Sequence, residues 1–118
     1  MRLDRLPGRA RLGLYAVAVT VLLYLCLAPS TALPEVNIWD KAEHAVAWLV
    51  LTGAGLVLFP TRPGRIAAFA FLFGGLIELL QGALPVGRDA DWKDWVADTV
   101  GLLAALAIYA LSRRRKTT

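Results

Sequence analysis

The sequence predicts an all-α integral membrane protein, a four-helix bundle of two antiparallel transmembrane hairpins with both termini on the cytoplasmic side. Three observations carry that expectation. Hydrophobic residues fill 58% of only 118 positions, with a mean hydropathy of +0.57, more than a water-soluble core of this size can bury. Four apolar runs are separated by short links rich in chain breakers. The charges divide unequally between the two ends of those runs.

The runs lie at roughly residues 12–28, 42–59, 66–84 and 95–111 of a single domain spanning 1–118. Each is near the ~17 to 20 residues that cross a bilayer core at ~1.5 Å per residue. Pro29 and Pro34 follow the first run, Pro60, Pro63 and Gly64 the second, Pro85 and Gly87 the third; each group ends a helix. Links this brief should make neighbours in sequence neighbours in space, and helices satisfy their own backbone groups, as lipid demands. The first run also fits a cleaved signal peptide, with its basic start and the small residues Ala28 and Ala32. It is longer than most signal cores, and Leu23, Tyr24 and Leu25 ahead of Cys26 lack the small residue of a lipoprotein cleavage site.

Orientation follows from the charges. Arg2, Arg5, Arg9, Arg11, Arg62, Arg65, Arg113, Arg114, Arg115 and Lys116 gather on one side against Asp4 alone. The other side holds Lys41, Arg88 and Lys93 against Glu35, Asp40, Glu43, Glu78, Asp89, Asp91, Asp94 and Asp98. The first side is +9 and the second −5, which together make the chain's +4. Basic flanks stay in the cytoplasm, so the expected location is a bacterial inner membrane, multi-pass, with residues 30–41 and 85–94 facing out. The net positive charge in isolation suggests nucleic acid; placed at the ends of apolar runs, the arginines read as topology signals, and no nucleic-acid partner is expected. The lone Cys26 excludes an intrachain disulfide and any CxxC metal or redox motif.

Glu78 and Gln81 interrupt the third run, Glu78 about 9 Å below the outer end at Leu84 by helical rise. The second run opens with WDKAEHAVAW, where Asp40, His44 and Trp48 recur every fourth residue and share a face. The fourth opens with RDADWKDWVADTVG, where Asp91, Asp94, Asp98 and Gly101 form another stripe. Three segments thus bring ionisable groups to one depth beneath the outer surface. Charges inside a membrane face a protein interior or a wet cavity, so an outward-opening polar pocket is expected. The second and fourth helices also point their N-terminal ends at it, beside Lys41, His44 and Arg88, which welcomes an anion such as a phosphate or carboxylate head group.

Plainer readings stand beside these. Asp40 and Asp91 can be helix N-caps; Lys41 and Lys93 interface anchors; Trp39, Trp48, Trp92 and Trp95 an aromatic belt, with Trp48 the one candidate for ligand stacking. His44 can be a hydrogen-bonded interior histidine. Glu78 can pair with Lys41 or Arg88, and that pair would still lie inside the bundle. Gly53, Gly55, Gly74, Gly75, Gly101, Ala104 and Ala105 read as close-packing surfaces between helices.

The segments DKAEH, IELLQ and PVGRDADWKDWVADTVG, in this order over residues 40–101, resemble the VanZ-like family of small bacterial membrane proteins, named for a glycopeptide (teicoplanin) resistance accessory protein. The resemblance implies a four-helix membrane domain whose polar motif residues are Asp40, Lys41, His44, Glu78, Gln81, Arg88, Asp91, Asp94 and Asp98. The family usually has Asn where this chain has Asp98, and an added carboxylate near Asp94 calls for a retained proton or a cation.

Three functions compete. The first is a pocket that binds a cell-envelope ligand, the head group of a lipid-linked cell-wall precursor or a glycopeptide-like compound, with membrane lipid as constant partner. Its ligand-binding set is Asp40, Lys41, His44, Trp48, Glu78, Gln81, Arg88, Asp91, Asp94 and Asp98. The second is a hydrolase or transferase on a phosphoryl- or acyl-containing envelope substrate. There His44, oriented by Asp40, is base or nucleophile, Glu78 is the acid, and Arg88 and Lys41 stabilise the transition state. The third is a small proton-coupled carrier, with Glu78 as proton site, or a structural subunit. No complete catalytic motif is present, and the sequence assigns neither a metal nor a cofactor, although several acids with one histidine suit a divalent cation.

Overall fold

A computed structural model describes residues 3–27, 40–84 and 92–116. A 3₁₀ turn at Leu3–Arg5 precedes four α-helices: α1 Gly8–Leu27, α2 Asp40–Leu58, α3 Pro63–Ala83 and α4 Trp92–Lys116. Three stretches, Gly8–Cys26, Pro63–Ala83 and Trp92–Arg114, are long and apolar enough to cross a membrane; the apolar part of α2, Ala42–Leu58, is shorter. The polar first turn of α2 takes the residues that would have lengthened it.

The helices overrun the apolar runs for local reasons. α3 starts at Pro63, whose fixed φ suits the first helical position. It stops at Ala83 because Pro85 forces Leu84 into an extended conformation, φ −91° and ψ 148°. α4 continues past Leu111 to Lys116, since arginine and lysine are good helix formers and complement the negative end of the helix dipole. Arg11 serves the end of α2 in the same way: its guanidinium donates to the carbonyl of Leu58 (2.9 Å) and lies 5.2 Å from the centre of the Phe59 ring.

The surface is inverted relative to a water-soluble protein. Leu72, Leu79, Val17 and Val50 stand well exposed, whereas His44, Thr52, Glu78, Gln81, Asp94 and Asp98 are buried. An apolar exterior around a polar interior is stable in hydrocarbon and aggregates in water.

The most extensive interface joins α2 to α4, which are not neighbours in sequence. Gly101 makes it possible: a Cβ there would run into the carbonyl of Ala45 and approach the Leu49 nitrogen at 2.9 Å, so the two backbones touch. Sequence neighbours also touch, α1 with α2, α2 with α3 and α3 with α4. His44 near the start of α2 lies beside Asp94 and Asp98 near the start of α4. Gln81 near the end of α3 donates to the carbonyl of Cys26 near the end of α1 (2.8 Å). The helices α2 and α4 therefore begin at the end of the bundle where α1 and α3 finish.

Two tryptophans lock α3 against this pair. Trp48 Nε1 donates to the Ala70 carbonyl (2.8 Å) and Trp95 Nε1 to the Phe71 carbonyl (2.9 Å). Gly74 and Gly75 leave room for the second indole, since a Cβ at either would fall about 3 Å from it. A column of rings runs down the core, Tyr15 to Phe69 (5.9 Å), Phe69 to Phe73 (5.5 Å), Phe73 to Trp48 (5.8 Å) and Trp48 to His44 (6.0 Å). Replacing Trp48 by Phe keeps most of the column but removes the bond to Ala70. We expect a loss of about 1 kcal/mol in detergent unfolding titrations, and no loss would mean that the bond adds nothing.

Candidate functional site

The interior end of the ring column is His44, and around it α3 and α4 place carboxylates. Its position one turn before Trp48 stacks the imidazole on the indole, 21° from parallel, which fixes the ring plane. His44 Nδ1 lies 2.8 Å from Asp98 Oδ1. With Asp98 ionised, its carboxylate only accepts, and Nδ1 then carries the hydrogen and donates it. The opposite nitrogen, Nε2, then faces Asp94 Oδ2 at 3.6 Å. Glu78 completes the group: one ligand atom from each of His44, Glu78 and Asp94 lies within 4.8 Å of the others.

The stripes in the sequence account for this meeting. Asp94 and Asp98 are one turn apart on α4 and both reach the same imidazole. Glu78 is one turn from Gly74 on the face of α3 that packs against Asp98. Asp98 is 1% exposed, and its second oxygen, Oδ2, has no hydrogen-bond partner among the described residues.

The other candidates fall elsewhere. Trp48 is wholly buried, its N–H bonded to α3 and its ring between His44 and Phe73; it shapes the site from behind. Gln81 is buried and ties α3 to α1 through Cys26. Arg88 and Asp91 lie outside the described residues, as do the side chains of Asp40 and Lys41, whose backbone opens α2. Asp98 meets His44 at Nδ1, and the close approach at Gly101 is what brings α4 within reach; the orienting role suggested for Asp40 falls on a side chain outside the described residues. Thr52 escaped notice in the sequence, although it continues the four-residue spacing of His44 and Trp48; it is fully buried, with no partner for Oγ1 among the described residues.

Such a cluster can accept and return a proton at Nε2, hold a cation through mixed nitrogen and oxygen donors, or bind a ligand's hydrogen-bond donors. The description VanZ/LLP1 belongs to the family model that matches residues 15–113. The chain belongs to the VanZ/LLP1 family. That match takes in α2 and α3 whole and most of α1 and α4, and so includes every polar group of the cluster. No curated protein and no solved structure matches the chain. Family membership and the apolar helices together make this a membrane protein.

Proposed function

We propose that this VanZ/LLP1 protein sits in the bacterial inner membrane with both termini in the cytoplasm, in a two-hairpin transmembrane topology. The His44 end of the bundle opens outward and binds the head group of a cell-envelope ligand, a lipid-linked cell-wall precursor or a glycopeptide-like compound. The observation that carries this reading is the convergence of His44, Glu78, Asp94 and Asp98 from three helices inside an exterior that is otherwise apolar. Polar groups kept at such a depth are unfavourable unless they have partners or a use. The resemblance to a family named for a glycopeptide-resistance accessory protein supports an envelope ligand, and a head-group site requires no turnover.

The topology is checked by thiol labelling. With Cys26 changed to Ala, a cysteine at Gly87 should react with an impermeant reagent in intact cells and a cysteine at Pro63 should not; the reverse pattern refutes the orientation. The ligand is checked by mass spectrometry of lipids that co-purify with the protein. Wild type should retain an envelope lipid that Glu78→Gln and Asp94→Asn lose, and identical lipid profiles would overturn the site.

A second reading, hydrolysis or transfer with His44 as base, draws support from the 2.8 Å contact to Asp98, which presents Nε2 as acceptor. His44→Ala separates the two: it should abolish turnover of an envelope substrate under this reading and only weaken retention under the first.

A further inference from the structure

The candidate donors His44, Glu78 and Asp94 are all buried and lie within 4.8 Å of one another. Around a tetrahedral ion with bonds of about 2.1 Å, donors sit about 3.4 Å apart, and His44 Nε2 and Asp94 Oδ2 are 3.6 Å apart. A contraction shared among three rotatable side chains closes the rest.

The surroundings favour an ion independently. Asp98 holds Nδ1 of His44 at 2.8 Å and so directs Nε2 at Asp94. A carboxylate behind a liganding imidazole fixes its tautomer and raises its basicity. Asp98 itself is 1% exposed, and its Oδ2 lacks a partner among the described residues. A divalent cation shared by buried carboxylates offsets the cost of keeping their charge in an apolar interior. One imidazole with two carboxylates suits first-row transition ions; Ca²⁺ and Mg²⁺ favour all-oxygen shells of higher coordination number.

We infer that His44, Glu78 and Asp94 bind a divalent first-row transition ion of the Zn²⁺ or Mn²⁺ type, with Asp98 as the positioning residue for the imidazole. This deepens the head-group reading, since it names what the same site holds: the ion would bridge an acidic site to a phosphate or carboxylate that the acids alone repel.

The test uses the full chain, purified in detergent, stripped with EDTA and dialysed against ZnCl₂ or MnCl₂, with metal per chain measured by mass spectrometry. About one ion per chain should bind and resist excess Mg²⁺ or Ca²⁺. Glu78→Gln and Asp94→Asn should each lower affinity at least about 100-fold and Asp98→Asn about 10- to 100-fold. Substoichiometric metal in wild type, or unchanged affinity in both Glu78→Gln and Asp94→Asn, overturns the inference. Because those variants can fail to fold, the wild type supplies a second measurement. Pulsed electron paramagnetic resonance of the Mn²⁺-loaded protein should show coupling to an imidazole nitrogen, altered in Asp98→Asn as a role confined to packing would not alter it. Bound Mn²⁺ without nitrogen coupling overturns it. An envelope lipid retained by stripped protein that takes up no stoichiometric metal ends the cation inference and leaves the head-group reading standing. Stoichiometric metal without any envelope lipid supports the cation and ends the head-group reading.

Discussion

Gly101→Val should leave little folded protein. Its side chain would enter the space held by the Ala45 carbonyl and the Leu49 nitrogen, and backbone cannot rotate aside as a side chain can. Overpacking of a tight contact costs about 3 kcal/mol at the upper end of its usual range, and here the α2–α4 interface that assembles the cluster must also separate. We expect a large fall in unfolding midpoint in detergent and loss of any retained ligand. Gly53→Ala is the control: nothing lies within 4 Å of a Cβ at that position, so it should be neutral or stabilise by about 0.5 kcal/mol through helix propensity. Equal behaviour of the two variants would mean that α2 and α4 do not meet at Gly101.

Asp98→Ala should be the most damaging change within the cluster. It removes the acceptor 2.8 Å from His44 Nδ1 and leaves a buried imidazole facing a void, at a cost of about 3 kcal/mol. Asp98→Asn keeps an oxygen for Nδ1–H and should cost about 1 kcal/mol. The resemblance to the VanZ-like family places Asn at this position, so the amide should preserve the architecture while changing the charge. Chemical unfolding of the three proteins side by side provides the ranking. An Asp98→Ala protein as stable as wild type would show that the contact contributes nothing to folding.

Much of this was legible in the residues. Apolar runs and proline breaks gave four helices, and four-residue spacings placed His44 with Trp48 and Asp94 with Asp98. The spacing rule works because one turn of helix returns a side chain to the same face. What spacing does not give is which faces meet. Gly53 and Gly101 look alike in the sequence, yet one faces open space and the other a carbonyl, and only the second decides that Asp98 reaches His44. Trp48 shared the face of His44 and was a fair candidate for stacking on a ligand. Its indole N–H found the Ala70 carbonyl instead, a partner on another helix that no local pattern announces. Residues 42–59 read as a span in the sequence; in the structure the apolar stretch of α2 is Ala42–Leu58, shorter than the three helices long and apolar enough to cross a membrane.

The contact between Gly74 and Asp98 has a consequence for how this sequence can change. A Cβ at 74 would sit 2.9 Å from Asp98 Oδ2 and 3.4 Å from Asp98 Cβ, so the smallest enlargement of one residue displaces the other, and with it the imidazole that Asp98 holds. Substitutions here are therefore non-additive. A shorter side chain at 98 relieves only part of the conflict, because Trp95 Cδ1 would still lie 3.0 Å from a Cβ at 74. Position 74 is the more constrained of the two, since it stays glycine unless both the carboxylate at 98 and the indole at 95 give way.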